Sequence, residues 1–322
     1  MDLTLAICVY NSEKYIVETL KSVVNQTFQG FELLIVDDSS TDRSVVLMER
    51  FFQENPRQYE LVRFEENKGI GYARHFAERH AKTKYMMFLD ADDVLYPNAV
   101  KTMYEKIISD VDLMAVGCYL EYIDGRGKKL GGGLFLGETF KERFYKKAEK
   151  GKLIFMQPTA IYDREVALSV GGYVVDGYPV GKPRYQDYCE DLDLWTRMSD
   201  LYVGGKAIVV VPEVLCKYRK GGGLSSSTFY MSIKIRYTKT NVRRRRRGEK
   251  DLTFVEFYEG LSAEELKGLR RDAVAADALR NAVFYLHRGN VVMFVWLVLK
   301  SVYYRPLYIR DKVWHNLIRK KS

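Results

Sequence analysis

Along residues 3–93, short apolar runs alternate with longer stretches in which apolar residues recur every three to four positions. Leu3 to Val9 is a β-rich run, and Tyr10-Asn11-Ser12 offers helix-capping chemistry ahead of a stripe at Tyr15, Ile16, Leu20, Val23 and Val24. Phe31 to Val36 is a second apolar strand ending in Asp37-Asp38, and Ser39-Ser40-Thr41-Asp42 leads into a helix through Leu47 and Phe51. Leu61 to Phe64 predicts a short third strand, Asn67-Lys68-Gly69-Ile70-Gly71 a turn, and Ala73 to Ala81 a helix. Lys84 to Leu89 predicts a fourth strand, apolar without interruption as strands buried on both faces are, and it stops at Asp90-Ala91-Asp92-Asp93. The β-α-β alternation predicts an α/β fold, its sheet mostly parallel with right-handed crossovers.

Three of these strands end in polar clusters: Tyr10-Asn11, Asp37-Asp38 and Asp90-Ala91-Asp92. In an open α/β sheet they share one edge, the carboxyl edge where ligands bind. Residues i and i+2 of an extended chain lie on one face, so Asp90 and Asp92 can converge on a ligand while Asp93 points elsewhere. Clustered hard oxygen donors suit Mg²⁺ or Mn²⁺ held together with a substrate phosphate. An acidic turn ahead of a helix is the plainer reading of the same stretch. Neither GxGxxG after the first strand nor GxxxxGKS/T occurs, so neither a nicotinamide cofactor nor a P-loop is indicated, and phosphate charge falls to a metal. Paired carboxylates at a strand end also suit hydrogen bonds from a nucleoside base or ribose.

The order and spacing of four motifs resemble the nucleotide-sugar-binding half of a family 2 glycosyltransferase with the GT-A fold. They are Cys8-Val9-Tyr10-Asn11 with Ser22 to Thr27, Val36 to Asp42, Asn67-Lys68-Gly69 with Ala73-Arg74, and Phe88 to Asp93. The resemblance continues through Gln157 to Glu165 with Gly171-Gly172-Tyr173, through Cys189-Glu190-Asp191-Leu192-Asp193-Leu194-Trp195, and through Pro212 to Arg219. It implies a UDP-sugar donor, with Tyr10, Asn11, Asp37, Asp38, Asn67, Gly69, Arg74, Asp90, Ala91, Asp92 and Arg219 lining the donor site. Asp92 is the expected ligand of Mn²⁺ or Mg²⁺, ahead of Asp90, which contacts the ribose or reaches the metal through water. Asp191 is the expected general base, with Glu190 its rival; a carboxylate at a helix start is favoured in its charged form by the helix dipole. One base and direct displacement imply inversion. The acceptor expected by analogy is a lipid-linked saccharide of a surface polysaccharide. A metal-dependent nucleotidyltransferase or phosphohydrolase on a similar sheet is the alternative.

Charge divides the chain. Residues 1–227 carry 30 basic and 33 acidic side chains, net −3, whereas residues 228–322 carry 21 and 9, net +12. The expected organisation is a catalytic domain over 1–227, with a donor half (1–120) and an acceptor half (121–227), and a basic, mainly helical region over 228–322. Gly125 to Gly133 predicts a hairpin turn and Glu138 to Lys150 an exposed charged helix. Tyr178, Tyr185 and Tyr188 are candidates to stack on acceptor sugar rings. Lys217 to Lys220 with Gly221 to Gly223 and Ser225 to Ser227 read as a basic flap over the nucleotide, or as a linker. Beyond the five arginines Arg243 to Arg247, the apolar run Val291 to Leu299, with Lys300, Tyr303, Tyr304, Arg305, Trp314 and Arg319-Lys320-Lys321 nearby, suggests contact with anionic membrane; a helical cap or a homo-oligomer surface is the competing expectation. No nucleic-acid motif accompanies the arginines. Widely spaced cysteines and the absence of a signal pattern after Met1-Asp2-Leu3-Thr4 lead to the expectation of a cytoplasmic protein, peripheral on the inner face of the membrane.

Overall fold

The computed structural model describes residues 2–221, 227–287 and 289–307. Strand β1 (Leu3–Val9), helix α1 (Ile16–Val24), β2 (Glu32–Asp37), α2 (Ser44–Glu54), β3 (Glu60–Arg63), α3 (Ile70–His80) and β4 (Tyr85–Asp90) form the first half. The short β5 (Val94–Leu95), α4 (Ala99–Ile108), β6 (Leu113–Ile123), β7 (Lys129–Leu134), α5 (Lys141–Glu149), β8 (Ala160–Asp163), α6 (Arg164–Ser169), α7 (Glu190–Met198) and β9 (Ala207–Arg219) follow. The sheet runs β3-β2-β1-β4-β8-β6-β9-β5, with β7 paired to β6 outside this row. β1 through β4 are mutually parallel; β8 opposes β4 and β6; β6 and β9 run parallel. Two reversals at β8 return β6 and β9 to the direction of β4, so the carboxyl ends of β1, β2, β4, β6 and β9 all reach one edge.

Burial explains the uninterrupted apolar runs. Every residue of β1 is buried, as are Tyr85 to Leu89 of β4, because helices cover both faces of a parallel sheet. Each such side chain contributes about 1.5–3 kcal/mol relative to exposure, enough to hold the strand ends that carry the acids. The helix predicted over Glu138 to Lys150 forms over Lys141–Glu149, and it is anchored by buried Phe144 and Ala148 rather than wholly solvated.

The chain separates into two compact units, residues 1–223 with 238–251, and residues 224–237 with 252–322. Helix α8 (Thr228–Arg245) contributes to both. The arginine run at its end is largely occupied within the first unit. Arg245 pairs with Asp200 and Asp251, Arg246 with Asp200 and the Ala148 carbonyl, and Arg244 and Arg247 with Glu249. A run that reads as an anionic-ligand patch thus fastens residues 238–251 to the sheet unit. The second unit contains α9 (Phe254–Glu259), α10 (Ala263–His287) and α11 (Val291–Tyr304). No helix among the described residues is long and apolar enough to cross a membrane. Gly222, Gly223, Ser225 and Ser226 of the expected flap, and Trp314 and Arg319 to Lys321 of the tail, lie outside the described residues.

Candidate active site

The edge is built by backbone before side chains. Asn11, at positive φ directly after β1, accepts the Thr41 backbone N–H at 2.8 Å, which ties the β1 loop to the β2 loop. Tyr10 beside it is 49% exposed, an aromatic ring presented at the edge. Asp37 is fully buried and faces Arg63 at 3.5 Å. Asp38 accepts the backbone N–H of Lys68 at 2.6 Å and of Gly69 at 2.8 Å, and the Asn67 side-chain amide at 2.8 Å. Its carboxylate therefore shapes the Asn67–Gly69 turn. Burial still raises its pKa, these N–H groups opposing the shift.

Gly69 has φ +93, and a Cβ there would lie 2.3 Å from an Asp187 oxygen. Both conditions require glycine. Asp187 accepts the Gly71 backbone N–H at 2.9 Å, and Arg184 donates to the Asn67 side-chain and backbone oxygens. Residues 184–187 are thereby clasped to the turn that starts α3. Neither Arg184 nor Asp187 stands out in the sequence: Asp187 and Gly71 are 116 positions apart, and Tyr185-Gln186-Asp187-Tyr188 has no distinguishing pattern.

Helix α3 then carries Arg74 into the centre. Only 4% of its side chain is exposed; one guanidinium nitrogen meets Asp90 at 2.5 Å and another pairs with Glu190 at the start of α7. The strand end and the acid pair are thus brought to a single cation. Asp191 is close enough for the Arg74 charge to lower its pKa and for the Asp90 charge to raise it. The helix dipole is outweighed here: burial raises the pKa of Asp191, against the opposing Arg74 charge and backbone N–H groups. Glu190 is pushed up to about 8, first by burial and then, against Arg74, by the neighbouring Asp191. One guanidinium shared with Asp90 cannot offset the desolvation of this pair.

The acidic turn divides its labour. The Ala91 and Asp93 carbonyls accept from the Thr19 hydroxyl at 3.0 and 2.8 Å. Asp93 is 2% exposed and accepts the Arg219 backbone N–H at 2.9 Å. Arg219 is equally engaged: its guanidinium donates to the Asp92 and Asp124 carbonyls, each at 2.8 Å, and to Glu18 at 2.6 Å, and it lies 4.4 Å from the Tyr15 ring centroid. It locks the β4 turn to α1 and to the β6–β7 hairpin. The described geometry spends this cation on the protein rather than turning it toward solvent. Tyr185 and Tyr188 are 6% and 8% exposed, so their rings pack inward rather than offering a face to a sugar.

The donor chemistry of the β4 turn fits a divalent cation. Burial, reinforced by the charge of Asp90, pushes Asp92 up to about 6, a crowding that a bound cation would relieve. Among the described residues no three His, Cys, Asp or Glu side chains gather as a complete cage. One or two carboxylates completed by phosphate oxygens and water is the usual pattern for Mg²⁺ with a phosphorylated substrate.

The raised acids make stability depend on pH. The folded chain keeps the Glu190 proton up to about pH 8, whereas an unfolded chain releases it near the ordinary value of 4.5. This contribution is complete below the lower value and lost as pH rises through the upper one. Asp92, at about 6 against 3.8, acts in the same direction over a lower window. In divalent-free buffer, Tm should fall between about pH 5 and 8, and Glu190→Gln, neutral throughout, should flatten the fall; an unchanged slope would refute the raised Glu190.

A mostly parallel sheet gathering acidic strand ends, with an acid pair opening a nearby helix, is the GT-A arrangement of nucleotide-diphospho-sugar transferases. The family model for glycosyl transferase family 2 matches residues 4–171, and the chain belongs to that family. It is 38% identical over 113 residues to a teichoic acid poly(glycerol phosphate) polymerase of Staphylococcus epidermidis, a match covering 35% of this chain. That match spans only 16% of the relative, well under two thirds of its length. The fold is similar to the crystal structure of S. aureus TarS 1-349 in complex with UDP-GlcNAc, at TM-score 0.55 and 19% identity over 94% of this chain and 91% of that one. It is also similar to the mannosyltransferase PcManGT from Pyrobaculum calidifontis in complex with GDP-Man and Mn²⁺, at TM-score 0.53 and 19% identity over 94% and 86% of the two chains.

Proposed function

We propose that this chain is a metal-dependent, inverting glycosyltransferase that moves a sugar from a UDP-sugar to a saccharide acceptor, one carried on lipid at a membrane face in surface-polysaccharide synthesis. The observation that carries this reading is the Arg74 bridge, which joins the strand end facing the donor diphosphate to the helix presenting the base. The UDP-GlcNAc complex of TarS supports the donor class, and the name of the S. epidermidis polymerase supports an acceptor of the cell surface.

Tyr10, Asn11, Asp37, Asp38, Asn67 and Gly69 line the nucleoside end of the donor site, and Asp90, Ala91 and Asp92 the diphosphate end. Asp92, with Asp90 through water, holds Mn²⁺ or Mg²⁺, which when bound supplies Lewis-acid neutralisation of the leaving diphosphate. Asp191 takes the acceptor hydroxyl proton as that oxygen attacks the anomeric carbon. The bond to the diphosphate breaks on the opposite face, so a single displacement inverts the centre. Burial raises the proton affinity of Asp191, which strengthens it as a base. Arg219 acts one layer back, fixing the backbone of Asp92 and Asp93.

Calorimetry of UDP binding with and without Mn²⁺ tests the donor and metal together. Asp92→Asn should weaken Mn²⁺-dependent UDP binding by at least about tenfold, the lower end of what disturbing a metal site's supporting residues costs. Turnover should release free UDP; UMP or pyrophosphate would replace the reading with nucleotidyl transfer or phosphohydrolysis.

A further inference from the structure

Helix α11 is apolar on two faces, and the described residues of the second unit cover one of them. Leu297 is 7% exposed and packs with Ala278 and Ala282 of α10, and the Ser301 hydroxyl donates to the Ala275 carbonyl at 2.9 Å. The opposite side presents Val292 (80% exposed), Trp296 (53%), Leu299 (61%) and Tyr303 (78%). Their spacing of four, three and four places them in one stripe along the helix. A helix apolar all round needs a partner for each face, and exposed contiguous apolar surface marks an interaction site.

We infer that the outer stripe of α11 is a docking surface for an anionic lipid bilayer, with the helix lying in the interface. Length excludes crossing: 14 residues extend about 21 Å at about 1.5 Å per residue, against a hydrocarbon core of about 30 Å. Charge favours lipid over a second copy. The described part of the segment, residues 291–307, carries Lys300 and Arg305 and no Asp or Glu, so two such helices placed face to face would bring like charges together, whereas anionic headgroups attract them. The side chains are those of an interfacial segment. The Lys300 ammonium lies 5.3 Å from the Trp296 ring centroid, its stem along the stripe, and Trp296 and Tyr303 have the amphipathic rings that settle at headgroup level. The arginine run 243–247, by contrast, is largely occupied by Asp200, Glu249 and Asp251. The membrane contact expected of the apolar run 291–299 therefore rests on α11 and not on those arginines.

This surface deepens the proposal of a membrane-borne acceptor, and its test needs no turnover, so either can fail alone. The full chain is sedimented with vesicles of phosphatidylcholine, or of phosphatidylcholine with about 30 mol % phosphatidylglycerol, where each basic residue near the surface strengthens binding about fivefold. The anionic vesicles should bind the chain and added salt should weaken that binding. Trp296→Ser combined with Leu299→Ser should lower the partition coefficient by about tenfold or more, with the circular-dichroism spectrum unchanged because both side chains are exposed. Equal partitioning of variant and parent, equal binding to neutral vesicles, or a concentration-dependent dimer in sedimentation velocity that the double substitution dissolves would each overturn the inference; the last would assign the stripe to a second copy.

Discussion

Arg74→Met is expected to unfold at markedly lower urea, a loss of about 3–5 kcal/mol, the usual result of removing one partner from a buried ion pair. The loss is large because Asp90 and Glu190 both depend on this cation and the side chain is 4% exposed. Methionine fills much of the volume but leaves Asp90 without its counter-charge and the Glu190 carboxyl without its hydrogen-bond donor. Arg74→Lys separates charge from geometry: one ammonium retains the charge but lacks the planar fork that reaches both acids. The lysine variant should recover most of the stability while sugar transfer stays impaired, with kcat reduced more than KM rises. Wild-type stability in Arg74→Met would refute the bridge as an organising contact.

Asp191→Asn should lower kcat for transfer by about 10²–10⁴, the contribution of a positioned general base, while UDP affinity measured by calorimetry changes little. The amide preserves shape and removes the proton acceptor. Glu190→Gln is the control, because Glu190 faces Arg74 and its neutralisation perturbs the bridge without removing Asp191. Full transfer by the Asn variant, with the loss appearing in Glu190→Gln instead, would pass the base role to Glu190. In wild type, transfer should fall as pH drops and Asp191 becomes protonated, a fall that begins above the ordinary carboxylate range because burial raises its pKa.

The acidic strand ends are legible because they are local features. Strand periodicity, apolar continuity and the i, i+2 rule act over a few residues, and they place Asp37, Asp38, Asp90 and Asp92 on the carboxyl edge before any coordinates are known. Side-chain commitments are not legible in the same way. Asp38, proposed for the nucleoside end, is also committed to the Asn67–Gly69 turn, from which it accepts three hydrogen bonds. Arg219 looks like a phosphate-binding cation, yet it is spent on Asp92, Asp124 and Glu18. The five arginines look like a basic patch, yet most are held by nearby acids. In each case a charged group brought out of water needs a partner, and the partner is supplied by chain remote in sequence or by a turn whose course sequence does not reveal.

By itself, the amino-acid sequence determines the α/β alternation and the edge on which the acids emerge. These follow from local backbone preferences and the period of apolar residues. Only the tertiary structure decides that Arg74 joins Asp90 to Glu190, that Asp187 closes on Gly69 and Gly71, and that the described residues of the second unit leave Val292, Trp296, Leu299 and Tyr303 of α11 exposed. The first two depend on hydrogen bonds between residues 116 positions apart and on the competition of several carboxylates for one buried cation, and neither leaves a periodic trace along the chain.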